Sequence, residues 1–177
     1  MPEPLTGGLV VDASAAIAII RRESSAAFVQ HKMAGRGRLI VPDPFWIEIA
    51  NVLVRRYGAT GDDVVEAIRE IDELGIESVR VDRPLLFAAI DIQHRHRLSA
   101  YDATYLALTE TRDAQLMTLD RRLAAAAGPR AVRLDGMRPP RLSEEAAAAY
   151  GSEPIDWARF GPYLARLRAE AREAPAR

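Results

Sequence analysis

The sequence predicts an α/β domain on a mostly parallel sheet of four or five strands. Two observations carry this expectation. Short apolar runs alternate with longer segments that carry helical spacing and helical caps, the pattern of strands separated by helices. Aspartates also stand just past two of those runs, Asp12 after Leu9-Val10-Val11 and Asp120 after Gln115 to Thr118. Open α/β sheets bind their ligands at that edge.

In chain order, Leu9-Val10-Val11 follows a glycine pair and reads as the first strand. Ser14 is placed to cap a helix over Ala15 to Arg22. A second helix, about Ser25 to Ala34, is closed by Gly35 and Gly37. Arg38 to Val41 is the second strand. Asp43-Pro44 opens the next helix as cap and first-turn proline; it carries Trp46, Ile47, Glu48, Ile49 and Asn51 and stops at Gly58. A helix over Asp62 to Leu74 puts Val64, Ile68 and Ile71 on one side. Ile76 to Val81 is the third strand, and Asp82 with Pro84 opens a helix reaching His96.

Leu98 to Glu110, LSAYDATYLALTE, is the stretch the domain is organised around. Ser99 stands at the N-cap, with Asp102 three residues on in a capping-box spacing. Ala103 to Thr109 carries no charge, so this helix is expected to be buried. Gln115 to Thr118 is the fourth strand, Arg121 to Ala127 a short helix, and Ala131 to Leu134 a possible fifth strand. The Gly- and Pro-bearing segment Asp135 to Arg141 reads as a linker. A last helix over Asp156 to Arg172 puts Trp157, Phe160, Leu164 and Leu167 on one stripe. It serves either as a tail packed on its own domain or as a dimer arm or partner surface. The expected division is 1–135 for the α/β domain and 136–177 for linker and helical extension.

Composition narrows the function. The 177 residues include no cysteine, which excludes disulfides and thiolate metal sites and makes the cytoplasm the expected location. Neither a membrane-spanning run nor a signal peptide is expected. The formal net charge of −1 gives no overall pull on nucleic acid. Lys32 is the single lysine among the basic residues; Arg suits phosphate better, but GC-rich coding explains the same bias.

The acids carry the chemistry. Asp12 ends the first strand, Glu48 lies in an apolar helix, Asp102 opens the central helix and Asp120 follows the fourth strand. Each alone, Asp12 excepted, is well explained as a cap or as a charge facing a helix dipole. In a parallel sheet the four can converge on one edge from separate segments, where like charges raise one another's pKa. A cation relieves this, and an all-oxygen donor set suits Mg²⁺ or Mn²⁺. Ser14, Asn51 and Thr118 are candidates to support those acids by hydrogen bonds.

Four stretches, VVDASAAIAII, PFWIEIANVLVRR, LSAYDATYLALTE and LMTLDRRLA, occur in the order seen in PIN domains. Over about Leu9 to Leu134 the chain resembles that family, and within it the VapC-type ribonuclease toxins of toxin–antitoxin pairs. The resemblance implies a three-layer α/β/α fold. It implies Asp12, Glu48, Asp102 and Asp120 as Mg²⁺- or Mn²⁺-binding catalytic acids, with Thr118 hydrogen-bonding nearby. It implies hydrolysis of RNA phosphodiesters, a homodimer, and a small cognate antitoxin. The family's toxins usually end soon after the last strand, whereas this chain continues through 136–177.

Arg97, Arg121 and Arg122 are the candidate RNA contacts, since they flank Asp102 and Asp120 and phosphates supply most of the affinity. His94 and His96 belong to the same basic stretch. Arg21-Arg22 and Arg55-Arg56 read as solvated helix-end charges. Without cysteines or a third nearby histidine, zinc is not expected. No GxGxxG, Walker or GxSxG motif occurs. A flavodoxin-like receiver or phosphotransferase would also place an Asp at a strand end, but needs neither Glu48 nor Asp102. The leading expectation is a metal-dependent endoribonuclease toxin. The alternatives are a catalytically inactive PIN-like RNA-binding or regulatory protein and a PIN-like nuclease acting on DNA.

Overall fold

The computed structural model describes residues 7–34 and 36–132. The linker and helix expected beyond residue 135, the boundary between them and the α/β domain, and the last two residues of the possible fifth strand lie outside the described residues.

Strands β1 (Leu9–Val11), β2 (Leu39–Pro42), β3 (Ile76–Val79) and β4 (Gln115–Met117) form one sheet in the order β3-β2-β1-β4. All three pairings are parallel, with Val10 opposite Ile40 and Leu116, and Ile40 opposite Glu77. Apolar β1 is fully buried, as a central parallel strand covered on both faces requires. The helices are α1 (Ala13–Ile20), α2 (Ala26–Met33), α3 (Pro44–Tyr57), α4 (Gly61–Asp72), α5 (Arg83–His96), α6 (Ala100–Thr111) and α7 (Arg121–Ala127). The α/β/α architecture follows: α1 packs with α2, α3 and α4, while α6 lies against β1, β2 and β4 and takes α5 and α7 beside it. Among the described residues no helix is long and apolar enough to cross a membrane.

The central helix is as buried as its sequence requires. Every side chain from Ala103 to Thr109 is buried. Two threonines in this run bond back to the preceding turn, Thr104 to the Ala100 carbonyl at 2.7 Å and Thr109 to the Tyr105 carbonyl at 2.8 Å, so their hydroxyls enter the core satisfied. Burying Leu106 and Leu108 contributes roughly 1.5–3 kcal/mol each. Gly8 precedes β1 at φ +88°, and a Cβ there would meet the Arg38 carbonyl oxygen at 2.5 Å, so this approach requires glycine.

Element ends differ from the expectation where a cap lies one step away. Asp12, not Ser14, caps α1: its carboxylate accepts from the Ser14 backbone N–H at 3.2 Å. Asp43 makes no side-chain cap bond. Helix α4 starts from a full capping box between Thr60 and Asp63. Strand β3 ends at Val79 rather than Val81. The possible fifth strand enters the described residues as a single parallel bridge between Ala131 and Leu116.

Candidate active site at the carboxyl edge of the sheet

The chain leaves β1 for β2 and β3 on one side, and returns to β4 on the other. The strand order therefore reverses between β1 and β4, and a crevice opens at their carboxyl ends. The register sets what meets there. Val11 pairs with Met117, and the Asp12 N–H donates to the Met117 carbonyl at 2.9 Å, so the residues that follow the two strands are brought side by side. Thr118 donates to Asp12 Oδ2 at 2.8 Å. The Ser14 hydroxyl donates to the same oxygen, and itself accepts from the Leu119 N–H at 2.9 Å. The Asp120 N–H donates to the Thr118 hydroxyl at 3.0 Å. One chain of hydrogen bonds thus joins the end of β1, the first turn of α1 and the end of β4.

The other acids come from helices. Glu48, in α3, accepts at Oε2 from the Tyr105 hydroxyl of α6 at 2.8 Å. Asp102, in the first turn of α6, accepts at Oδ2 from the Ser99 hydroxyl at 2.8 Å while its N–H donates to that hydroxyl at 3.0 Å. Ser99 is therefore the cap of α6, and its hydroxyl in turn holds the Asp102 carboxylate. Asp120 caps α7, with Oδ1 accepting from the Arg122 and Leu123 N–H groups at 2.7 and 2.9 Å.

Burial sets the electrostatics. Asp12 is only 3% exposed, and desolvation raises its pKa against the pull of the Ser14 and Thr118 hydrogen bonds, with Asp102 adding repulsion. Glu48 is pushed up to about 7, first by burial, then by the charges of Asp12 and Asp102, with the Tyr105 hydrogen bond opposing. Burial and the Glu48 and Asp12 charges push the Tyr105 hydroxyl far above its ordinary value, so it stays a donor. These couplings place Asp12, Glu48 and Asp102 within one another's field.

A cavity of about 350 Å³ opens beside the acids, lined among others by Ser14, Glu48, Asp120, Arg56 and Tyr57. Arg56 lies 5.4 Å from the Tyr57 ring centroid, and Arg21 packs over the same ring at 4.1 Å. Two features of the site lay beyond the sequence reading. Tyr105 was visible only as one more apolar residue in a buried run. Arg56 read as a solvated helix-end charge, although its eight-residue spacing from Glu48 puts both on one face of α3. Asn51 is exposed and does not line the cavity. Arg97, Arg121 and Arg122 are all exposed, and the Arg122 guanidinium donates to the Arg97 carbonyl at 2.8 Å. Among the described residues no three Asp, Glu or His side chains are arranged to hold a metal ion as they stand.

The family model of the PIN domain matches residues 9–129, and the chain belongs to that family. Solved structures of the same fold include VapC20 of Mycobacterium tuberculosis, a sarcin–ricin loop cleaving toxin, with 21% identity over 71% of this chain and 98% of that one at a TM-score of 0.59. They include a toxin–antitoxin complex from Klebsiella pneumoniae, with 17% identity, coverage of 71% and 96%, and a TM-score of 0.55. They also include PAE2754 from Pyrobaculum aerophilum, with 21% identity, coverage of 73% and 87%, and a TM-score of 0.53. No curated protein matches the chain in sequence.

Proposed function

We propose that the protein is a metal-dependent endoribonuclease, the toxin of a VapC-type toxin–antitoxin pair, hydrolysing RNA phosphodiester bonds with Mg²⁺ or Mn²⁺. The observation that carries the proposal is the way the acids are bonded. Among the described residues each carboxylate takes its hydrogen bonds on one oxygen alone: Asp12 Oδ2, Glu48 Oε2, Asp102 Oδ2 and Asp120 Oδ1. Each keeps a second oxygen for another ligand. Two of these acids are held at raised pKa by burial and mutual charge, which a cation would relieve. The donor set is all oxygen, as Mg²⁺ and Mn²⁺ prefer. The residues therefore fit a divalent ion in chemistry and charge.

Asp12, Glu48, Asp102 and Asp120 would hold the ion. A bound ion would supply polarisation of a phosphoryl oxygen and a more acidic water. The chain's own residues prepare that chemistry. Ser14 and Thr118 fix the Asp12 carboxylate, Tyr105 fixes Glu48, and Arg56 supplies a guanidinium on the cavity wall for a flanking phosphate. Arg97, Arg121 and Arg122 extend the basic surface along the strand's path. A small antitoxin protein, a homodimer and a cytoplasmic place of action complete the reading. All three are supported by the resemblance in sequence, and the antitoxin also by the toxin–antitoxin description of one fold relative.

The test is digestion of single-stranded RNA and DNA of the same sequence, side by side, in Mn²⁺ and in excess EDTA. RNA cleaved only with metal is the expected result. Cleavage in EDTA sinks the metal role, preference for DNA replaces the substrate, and no cleavage of either favours a binding protein.

A further inference from the structure

We propose that Tyr105 is the positioning residue of the site: its hydroxyl is a strut from α6 that orients the Glu48 carboxylate of α3 toward the shared ion. The inference rests on the reading of Glu48 as a metal-binding acid. Tyr105 is 1% exposed, and its hydroxyl meets Glu48 Oε2 at 2.8 Å across 57 residues of sequence. Its ring sits among the fully buried side chains of α6, so the hydroxyl is fixed in space by packing. Glu48 has no such anchor. It is half-buried on α3, its three side-chain torsions are free in principle, and the last is broad. One hydrogen bond to Oε2 removes that freedom and leaves Oε1 as the ligand.

The strut also spans the two helices that supply acids. Asp102 stands one turn before Tyr105 on α6, so α6 delivers one carboxylate itself and fixes the carboxylate that α3 delivers. A structural role alone makes a different claim. Buried Tyr hydroxyls need partners, and Glu48 could serve merely as that partner, with the ring's packing as the whole contribution.

Tyr105→Phe separates the two because it keeps the ring and removes only the hydroxyl. Mn²⁺ affinity is measured by calorimetry on full-length wild type, Tyr105→Phe, Glu48→Gln and the double variant, with the melting temperature of each metal-free protein as a control. The strut predicts about 10-fold weaker Mn²⁺ binding in Tyr105→Phe, the size of effect usual for groups that orient a metal ligand. It predicts no further loss when Tyr105→Phe is added to Glu48→Gln, because the hydroxyl acts through that carboxylate. Unchanged affinity in Tyr105→Phe overturns the strut, as does an equal loss in both backgrounds. If wild type binds no Mn²⁺, or Glu48→Gln binds it as tightly as wild type, the underlying reading of Glu48 fails before Tyr105 is tested. Should Tyr105→Phe not fold, ¹³C NMR of the wild-type tyrosines takes its place. Saturation with Mg²⁺ is expected to shift the Tyr105 Cζ resonance, and a resonance that stays put overturns the proposal.

Discussion

Asp12 and Asp120 follow neighbouring strands of one sheet, yet they are held in opposite ways. Asp12 is buried at 3% exposure, and even with three donors on one oxygen its charge is disfavoured. Asp120 is exposed and spends one oxygen capping α7. Glu48 belongs with Asp12 as an acid under electrostatic pressure, while Asp102, like Asp120, stands at the start of a helix, one turn past the Ser99 cap. The comparison teaches that the acids divide into an inner pair whose burial leaves charge uncompensated and an outer pair at helix starts, where a carboxylate is favourable in itself. The inner pair costs stability and requires a chemical reason. The outer pair requires none.

Breaking the inner pair gives the largest expected effect. Asp12→Asn removes the most buried charge, and RNA cleavage is expected to fall to background. The melting temperature of the metal-free variant at pH 8 should equal or exceed that of wild type, because the native carboxylate is disfavoured there. A large drop in melting temperature would show that Asp12 serves the fold.

Glu48→Gln sharpens the same comparison through pH. Glu48 is raised from 4.5 to about 7, so the folded state binds its proton more tightly than the unfolded state does. Its stabilising contribution is full below the unfolded value and is lost as pH rises through about 7. Metal-free wild type should therefore melt lower at pH 8 than at pH 5.5, and Glu48→Gln should flatten that slope. Asp63 and Glu77, held low by Thr60 and Arg38, act only on the acid side and do not mask it. A wild-type slope of opposite sign would contradict the burial of Glu48.

The outer pair should respond less. Asp120→Asn keeps an oxygen for the α7 cap, since Asn and Asp cap about equally well. Cleavage should fall about 10- to 100-fold with the melting temperature nearly unchanged. Smallest is Arg56→Ala. It should raise KM for RNA a few-fold with little change in kcat, and lower the slope of log affinity against log salt by about 0.7, the value for one single-strand phosphate. An unchanged salt slope would return Arg56 to the solvated helix end.

The same contrast explains what the sequence could reveal. Strands β1 and β4 and helix α7 were legible to within a residue, because apolar runs ending at Asp leave little choice in a parallel sheet. The burial of α6 was legible from its uncharged run. Which residue capped α1 was not, since Asp12 and Ser14 are both good caps and only the strand's end decides between them. The four acids stand out as a set because two of them follow neighbouring strands of a parallel sheet and all four occur in the order of a family pattern. Tyr105's role was hidden because a phenol in a buried helix looks like core until the helix across from it is placed. Asn51 was misplaced for the same reason: one turn from Glu48 is near in sequence, but that position of α3 faces solvent.

The central claim is that the inner acids hold a divalent cation, and calorimetric titration of metal-free protein with Mn²⁺ tests it most directly. Saturable binding well below millimolar Mn²⁺ is expected, tighter at pH 8 than at pH 6 and abolished in Asp12→Asn. No heat of binding at millimolar Mn²⁺, or binding that Asp12→Asn leaves intact, would contradict the account.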